Sequence, residues 1–246
     1  VMIMSTIAFT LMFAVWLMFG ILGVPIQKEL GLTDVELSWI SALAVLNGSM
    51  WRLPAGILAD RIGGRKVTLF LLFATAIPAY LVSTADSYGL LLVLAFLVGF
   101  AGNLFSVGTA WNAAWYSRKR QGLALGVFGA GNVGASVTKF IGPPLIAGTA
   151  GATFAFGIQG GWRLVPVIYA VLLVIVGVAV WAIVPRVDRA PGTSLAQHFA
   201  LARLALARRD GRSIGDHMAS DNQFWRRVVE PMMLAVLNCP AAEGSA

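Results

Sequence analysis

Six long apolar runs separated by short polar breaks limit what this chain can become more than any other feature. They are Ser5–Pro25, Glu36–Ala59, Val67–Ser83, Tyr88–Trp111, Gln121–Ile146 and Arg163–Val184. Each approaches the ~20 apolar residues that carry a helix through a hydrocarbon core ~30 Å thick, at ~1.5 Å per residue. The breaks, at 27–34, 60–66, 85–87, 117–120 and 148–162, hold most of the charge in this region. Runs of this length lack the short alternating segments of a membrane barrel. With 12% charged residues among 246 the chain is also far from the ~25% of a soluble domain. The expectation is an all-α polytopic membrane protein with six transmembrane helices over residues 1–189. Residues 190–246 read as a cytoplasmic tail, poorly ordered or lying on the inner leaflet, with Leu195–Arg209 as a candidate amphipathic helix.

Basic residues in short connections set the orientation. Arg61, Arg65 and Lys66 follow the second run, Arg118, Lys119 and Arg120 the fourth, and Arg186 and Arg189 the sixth. The opposite connections hold Lys28 and Arg163 beside Glu29, Asp34 and Asp86. Lys and Arg stay on the cytoplasmic side, so both termini are expected there, in the cell's inner membrane. The net charge of +7 then reports topology and requires no nucleic acid. The first run has neither a basic leader nor a small-residue cleavage site, and is expected to be retained.

Bond-making chemistry finds no support. One cysteine, Cys239, excludes a disulfide framework, and His198 and His217 both lie outside the spans. Neither a metal ligand set nor a base beside a nucleophile is in view, so no catalytic residue and no cofactor are expected. Gly129, Gly131 and Gly134 fit the spacing of a dinucleotide-binding loop. That loop needs an acid ~20 residues on, and none occurs between Asp86 and Asp188.

Polar residues inside the spans carry more information. Arg52 lies eight residues before Asp60, ~12 Å inward from the cytoplasmic end. A central arginine costs ~2.5–3.5 kcal/mol on insertion scales and so needs a polar surrounding. The spans supply no carboxylate for it. Its helical face carries Ser41, Gly48, Gly56 and Ala59, and Pro54 frees the Met50 carbonyl as a local acceptor. Arg52 reads as a guanidinium fork for a small oxyanion, against bonding to carbonyls or snorkelling. Lys139 shares a stripe of the fifth span with Gln121, Asn132 and Ser136; drawing anions into an outer vestibule and snorkelling to headgroups both fit it. Asn132, near the midplane, can donate to an anion or to a neighbouring helix. Asn47, Asn103 and Asn112 carry the same two readings. Gly122, Gly126, Gly129, Gly131 and Gly134 are candidate helix-packing residues, the first three sharing one face and Gly131, Gly134 and Gly142 lying on others. Trp16, Trp39, Trp111, Trp115, Trp162 and Trp181 read as interfacial belt residues.

The loop holding Gly56, Asp60, Arg61, Gly63, Arg65 and Lys66 resembles the G-x-x-x-D-R-x-G-R-[KR] loop of the major facilitator superfamily, with Gly64 at a position often basic there. Glycine permits its tight turn, and Asp60 can bond helix ends and bias a two-state interface. Two further stretches resemble the nitrate/nitrite porters of that superfamily. One is Trp51, Arg52, Leu53 and Pro54; the other runs from Gly102 and Asn103 through Arg120, Gln121, Gly122, Ala124 and Gly126 to Gly129, Gly131, Asn132, Gly134 and Ser136. The resemblance covers residues 1–190. It implies transport of nitrate or nitrite, with Arg52 contacting the anion and Asn132 and the glycine-rich fifth helix lining its path. It also implies a second six-span half, with its own arginine, that this chain does not show. The expectation is therefore the amino-terminal half of a facilitator fold, from a truncated or split carrier or a homodimer. A facilitator for another small anion or metabolite, a non-transporting membrane subunit or remnant, and a six-span channel remain as alternatives.

Overall fold

The computed structural model describes residues 1–154 and 158–186. The expected tail, 190–246, lies outside the described residues. Within them the chain is helical, apart from one isolated bridge between Thr153 and Gln159.

Six passes are present. The first is α1 (Met2–Trp16) and α2 (Phe19–Leu30); the second is α3 (Asp34–Met50) and α4 (Arg52–Ile62). The third is the single helix α5 (Gly64–Val82). The fourth is α6 (Tyr88–Val98) and α7 (Leu104–Trp115), joined by a 3₁₀ turn, Gly99–Asn103. The fifth is α8 (Arg118–Gly129) and α9 (Gly134–Thr149), joined by a second such turn, Ala130–Val133. The sixth is α10 (Leu164–Ile183). Met2–Leu30, Gly64–Val82, Tyr88–Trp115 and Gly161–Ile183 are each long and apolar enough to cross a membrane. The second and fifth passes are less apolar because Asn47, Arg52 and Asp60 interrupt one, and Asn132 and Lys139 the other.

The local chemistry explains the breaks. Pro54 has no N–H, and its ring opposes the Met50 carbonyl, so the second pass turns at Trp51. Glycines flank or occupy the breaks in passes four and five, where tighter 3₁₀ geometry replaces the α-helix. Thr33 and Glu36 form a reciprocal capping box that starts α3 after the outer connection. Gly63 ends α4 at φ +101°, a conformation that an L side chain rarely adopts.

Helix α1 runs through the centre of the bundle. It packs on α7, α8, α9 and α10, and Ala8, Met12 and Val15 on it are fully buried. The fifth pass approaches it most tightly at Gly134. A Cβ there would stand 1.9 Å from the Thr10 carbonyl oxygen, and one at Gly131 would stand 2.5 Å from the Phe9 ring. At Gly122, Gly126 and Gly129 a Cβ would meet nothing within 4 Å. Of the five expected packing glycines, Gly131 and Gly134 make the close approach to α1, and Gly122, Gly126 and Gly129 face open space in this unit.

Helices α5 and α10 form the most extensive pair in the bundle and are fastened at both ends. At the inner end Arg65 donates through Nη2 to the Trp181 carbonyl at 2.7 Å. At the outer end Arg163 Nη2 meets Glu29 Oε1 and Asp86 Oδ1, each at 2.7 Å, and Nη1 donates to the Ser83 carbonyl at 2.8 Å. Trp162 Nε1 donates to the other Glu29 oxygen at 2.6 Å. The belt reading of the tryptophans divides accordingly. Trp39 and Trp181 are exposed, whereas Trp16, Trp111 and Trp162 are buried in contacts between passes.

The tight and open glycines of the fifth pass should respond oppositely to a methyl group. Gly134→Ala forces the Thr10 backbone to move and should cost about 1–3 kcal/mol. Gly126→Ala, in an open helical position, should be neutral or stabilise by about 0.4–1 kcal/mol; melting curves in detergent compare the two. By the same measurement, Arg163→Met should cost about 1–3 kcal/mol by leaving Glu29 Oε1 and the Ser83 carbonyl without their donor. Asp86, with a side chain 82% exposed, should tolerate Asn at a cost below about 1 kcal/mol.

Candidate functional site

Arg52 is the first residue of α4, placed by the Trp51 break on the inward face of the second pass. It is half-buried. Gly48, Gly56 and Ala59 on the same face are buried, and Ser41 is half-buried. Its Nε donates to the Gly48 carbonyl at 3.0 Å. The acceptor is thus one turn back, in place of the expected Met50 carbonyl, because helical side chains lean towards the N-terminus. The guanidinium carbon lies over two rings, 5.2 Å from the Trp16 centroid and 5.5 Å from that of Phe105. Among the described residues no carboxylate pairs with Arg52, and its two terminal nitrogens have no hydrogen-bond partner.

Both rings are held from behind. Trp16 Nε1 donates to the Ala44 carbonyl at 2.9 Å, and its indole fills the space left by Gly48 and Gly102, where a Cβ would fall 2.5 and 2.7 Å from it. Phe105 sits 5.6 Å from Phe9, which stacks on Phe128 at 4.7 Å. An unbroken series of aromatic contacts thus runs from the fifth pass through the first and fourth to Arg52 on the second. The residues carried a readable signal only in part: Phe9, Phe13 and Trp16 recur at helical spacing on one stripe of α1.

The other candidate residues fall into separate places. Asn103 ends the 3₁₀ turn of the fourth pass, is 1% exposed, and has neither amide atom hydrogen-bonded among the described residues. Asn47 is fully buried and donates to the Phe96 carbonyl. Asn112 donates to Ser5 Oγ and to the Gly108 carbonyl, each at 2.8 Å. Asn132, Ser136 and Lys139 are all exposed on the fifth pass, which packs on α1 and not against Arg52.

In the inner loop Gly56 and Asp60 are buried, and Arg61 and Lys66 are exposed. Gly64 lies against Trp111, where a Cβ would fall 2.3 Å from the indole. Arg65 is 7% exposed and caps the last turn of α10, a favourable end for a cation. The loop therefore joins the second-to-third turn to passes four and six. Among the described residues no group of three or more His, Cys, Asp or Glu could hold a metal ion.

Residues 4–239 match the family described as the Major Facilitator Superfamily. The chain belongs to the Major Facilitator Superfamily. This superfamily member is similar to a probable nitrate/nitrite antiporter, NarK1, of Thermus thermophilus, with 68% identity over 190 residues. That match takes in 77% of this chain and 43% of the relative. It is also 32% identical to a probable nitrate transporter, NarT, of Staphylococcus carnosus, over 70% of this chain and 42% of the relative. A nitrite extrusion protein of Bacillus subtilis is 29% identical over 66% of this chain and 38% of the relative. The resemblance to nitrate/nitrite porters read from the motifs is met by these relatives, of whose length the chain spans about two-fifths. Among solved structures, a bacterial homologue of the human lysosomal transporter Spinster, inward-facing and occupied, aligns with a TM-score of 0.60 at 17% identity. It covers 98% of this chain and 55% of that one, which identifies the fold as part of a facilitator. The superfamily member is thus a multi-pass membrane protein built as a six-helix half.

Proposed function

We propose that this six-helix unit is the anion-holding half of a nitrate/nitrite carrier in the inner membrane. A second six-helix half, continuous with it or separate, completes the carrier, and the two rock about the bound anion to expose it on alternate sides. The observation that carries this reading is the free end of the Arg52 guanidinium in a half-buried site. Its Nε edge is taken by Gly48, while its Nη edge is open. Two parallel N–H groups in one plane match two oxygens of a planar, singly charged anion. Nitrate and nitrite both have that shape, and they are the anions named for the relatives.

The distribution of acids supports exchange of one anion for another over proton coupling. Among the described residues Glu29, Asp34, Glu36, Asp60 and Asp86 all sit at helix ends or in connections, none at the level of Arg52. Arg61, Lys66, Lys119 and Arg120 are exposed at the opposite end of the bundle from Glu29 and Asp86, which supports cytoplasmic termini. Asn132, Ser136 and Lys139 lie on the open face of the fifth pass, where they would line the path once the second half is in place. The role is transport, and no reaction or cofactor enters it.

Calorimetric titration of the purified chain in lipid nanodiscs tests the assignment. Nitrate and nitrite should bind, and Arg52→Gln should weaken both by tenfold or more, about 1.4 kcal/mol. Arg52→Lys should also weaken them, because a point charge replaces the fork. Undiminished binding in Arg52→Gln, or a preference for chloride or formate over nitrate, would remove this function.

A further inference from the structure

We infer that Trp16 and Phe105 are positioning residues that fix the plane of the Arg52 guanidinium, and that this makes the site prefer planar oxyanions to spherical halides. The inference rests on the assignment of Arg52 to the anion. It adds how that arginine discriminates among anions.

Three contacts determine how the group sits. The Gly48 carbonyl engages Nε in the guanidinium plane, and the two rings, at 5.2 and 5.5 Å, engage the cation through their π faces. Ring faces attract a guanidinium without accepting directed bonds from its N–H edges, so the Nη pair stays available. A carboxylate in their place would satisfy the charge and consume that edge. The rings themselves have little freedom. Trp16 is 7% exposed, bonded to Ala44 and enclosed by Gly48 and Gly102. Phe105 is braced by Phe9 at 5.6 Å and Phe128 at 6.2 Å.

A fixed plane matters for one class of ligand. A planar oxyanion reaches two N–H groups only when it is coplanar with them, so a wagging guanidinium forfeits the paired geometry. A halide is a sphere and meets the cation equally well at any tilt. Removing a ring should therefore lower affinity for nitrate far more than for chloride.

The test is a pair of titrations, sodium nitrate and sodium chloride, on the full chain in nanodiscs, with thermal melts to establish folding. In Phe105→Leu the nitrate affinity should fall about fivefold while that for chloride changes less than about twofold. Phe105→Tyr, which restores a ring, should recover the preference. Trp16→Leu and Trp16→Phe form a second pair with the same expectation, should Phe105→Leu fail to fold. A parallel loss of both affinities, or an unchanged nitrate-to-chloride ratio in folded ring-less variants, would overturn the positioning role and leave the Arg52 assignment standing. Absence of nitrate binding in the unsubstituted chain, or indifference to Arg52→Gln, would instead overturn the assignment and this inference with it.

Discussion

A charged guanidinium half-buried in an apolar bundle is the constraint around which this structure is arranged. Insertion of such a group costs about 2.5–3.5 kcal/mol. Cation–π contacts of about 0.5–2 kcal/mol each and a charged hydrogen bond of about 1.5–3 kcal/mol are of comparable size. Arg52 has two such rings and one such bond. The arrangement can therefore hold the cation without an acid. An acid would hold it more strongly, but it would neutralise the positive charge that Arg52 presents.

The surroundings of Arg52 impose demands on four passes at once. Trp16 must lie flat against the second and fourth passes, which requires Gly48 and Gly102. Phe105 must meet Phe9, and Phe9 must meet Phe128, which requires the fifth pass to come within backbone contact of α1 at Gly134. Passes one, two, four and five are also the interrupted ones, each divided near its middle. Interruptions re-aim side chains that a straight helix would direct elsewhere, as the turn at Trp51 does for Arg52. Close packing and local breaks are thus two consequences of directing the same group inward.

Much of this was legible in the sequence, and the reasons for the remainder are physical. The six passes and the isolation of Arg52 from acids follow from residue type and spacing, because the lipid core enforces length and penalises charge. Pro54 signalled a freed Met50 carbonyl through its missing N–H, but not the turn at Trp51 or the choice of Gly48 as the acceptor. The aromatic support did not follow, since a tryptophan in an apolar run has the same composition whether it faces headgroups or a neighbouring helix. Burial of Trp16 depends on Gly48 and Gly102, which lie 32 and 86 residues away in the chain. The fifth pass shows the same limit. Its glycine faces are equally small on the helical wheel, and only the path of α1 selects Gly131 and Gly134 as the contact. The clasp at Arg163 likewise joins Glu29 to Ser83 and Asp86, from two other outer segments, a meeting decided by the bundle and not by any local pattern.

Arg65 and Arg163 bind the third pass to the sixth. Arg65 ties the start of the third pass to the end of the sixth, and Arg163 ties the start of the sixth to the end of the third. These are the two uninterrupted passes, and they pack on each other more extensively than any other pair. Fastened at both ends, they form a stiff back, while the divided passes in front carry Arg52 and its two rings. Glu29 extends the outer fastening to the end of the first pass, which is the one that presents Trp16. The proposed rocking of one half against another would use this division. In the carrier proposed above, a back that turns without shear would keep the first, second and fourth passes in register, so the guanidinium and its two rings would travel together and offer the anion the same plane on both sides of the membrane.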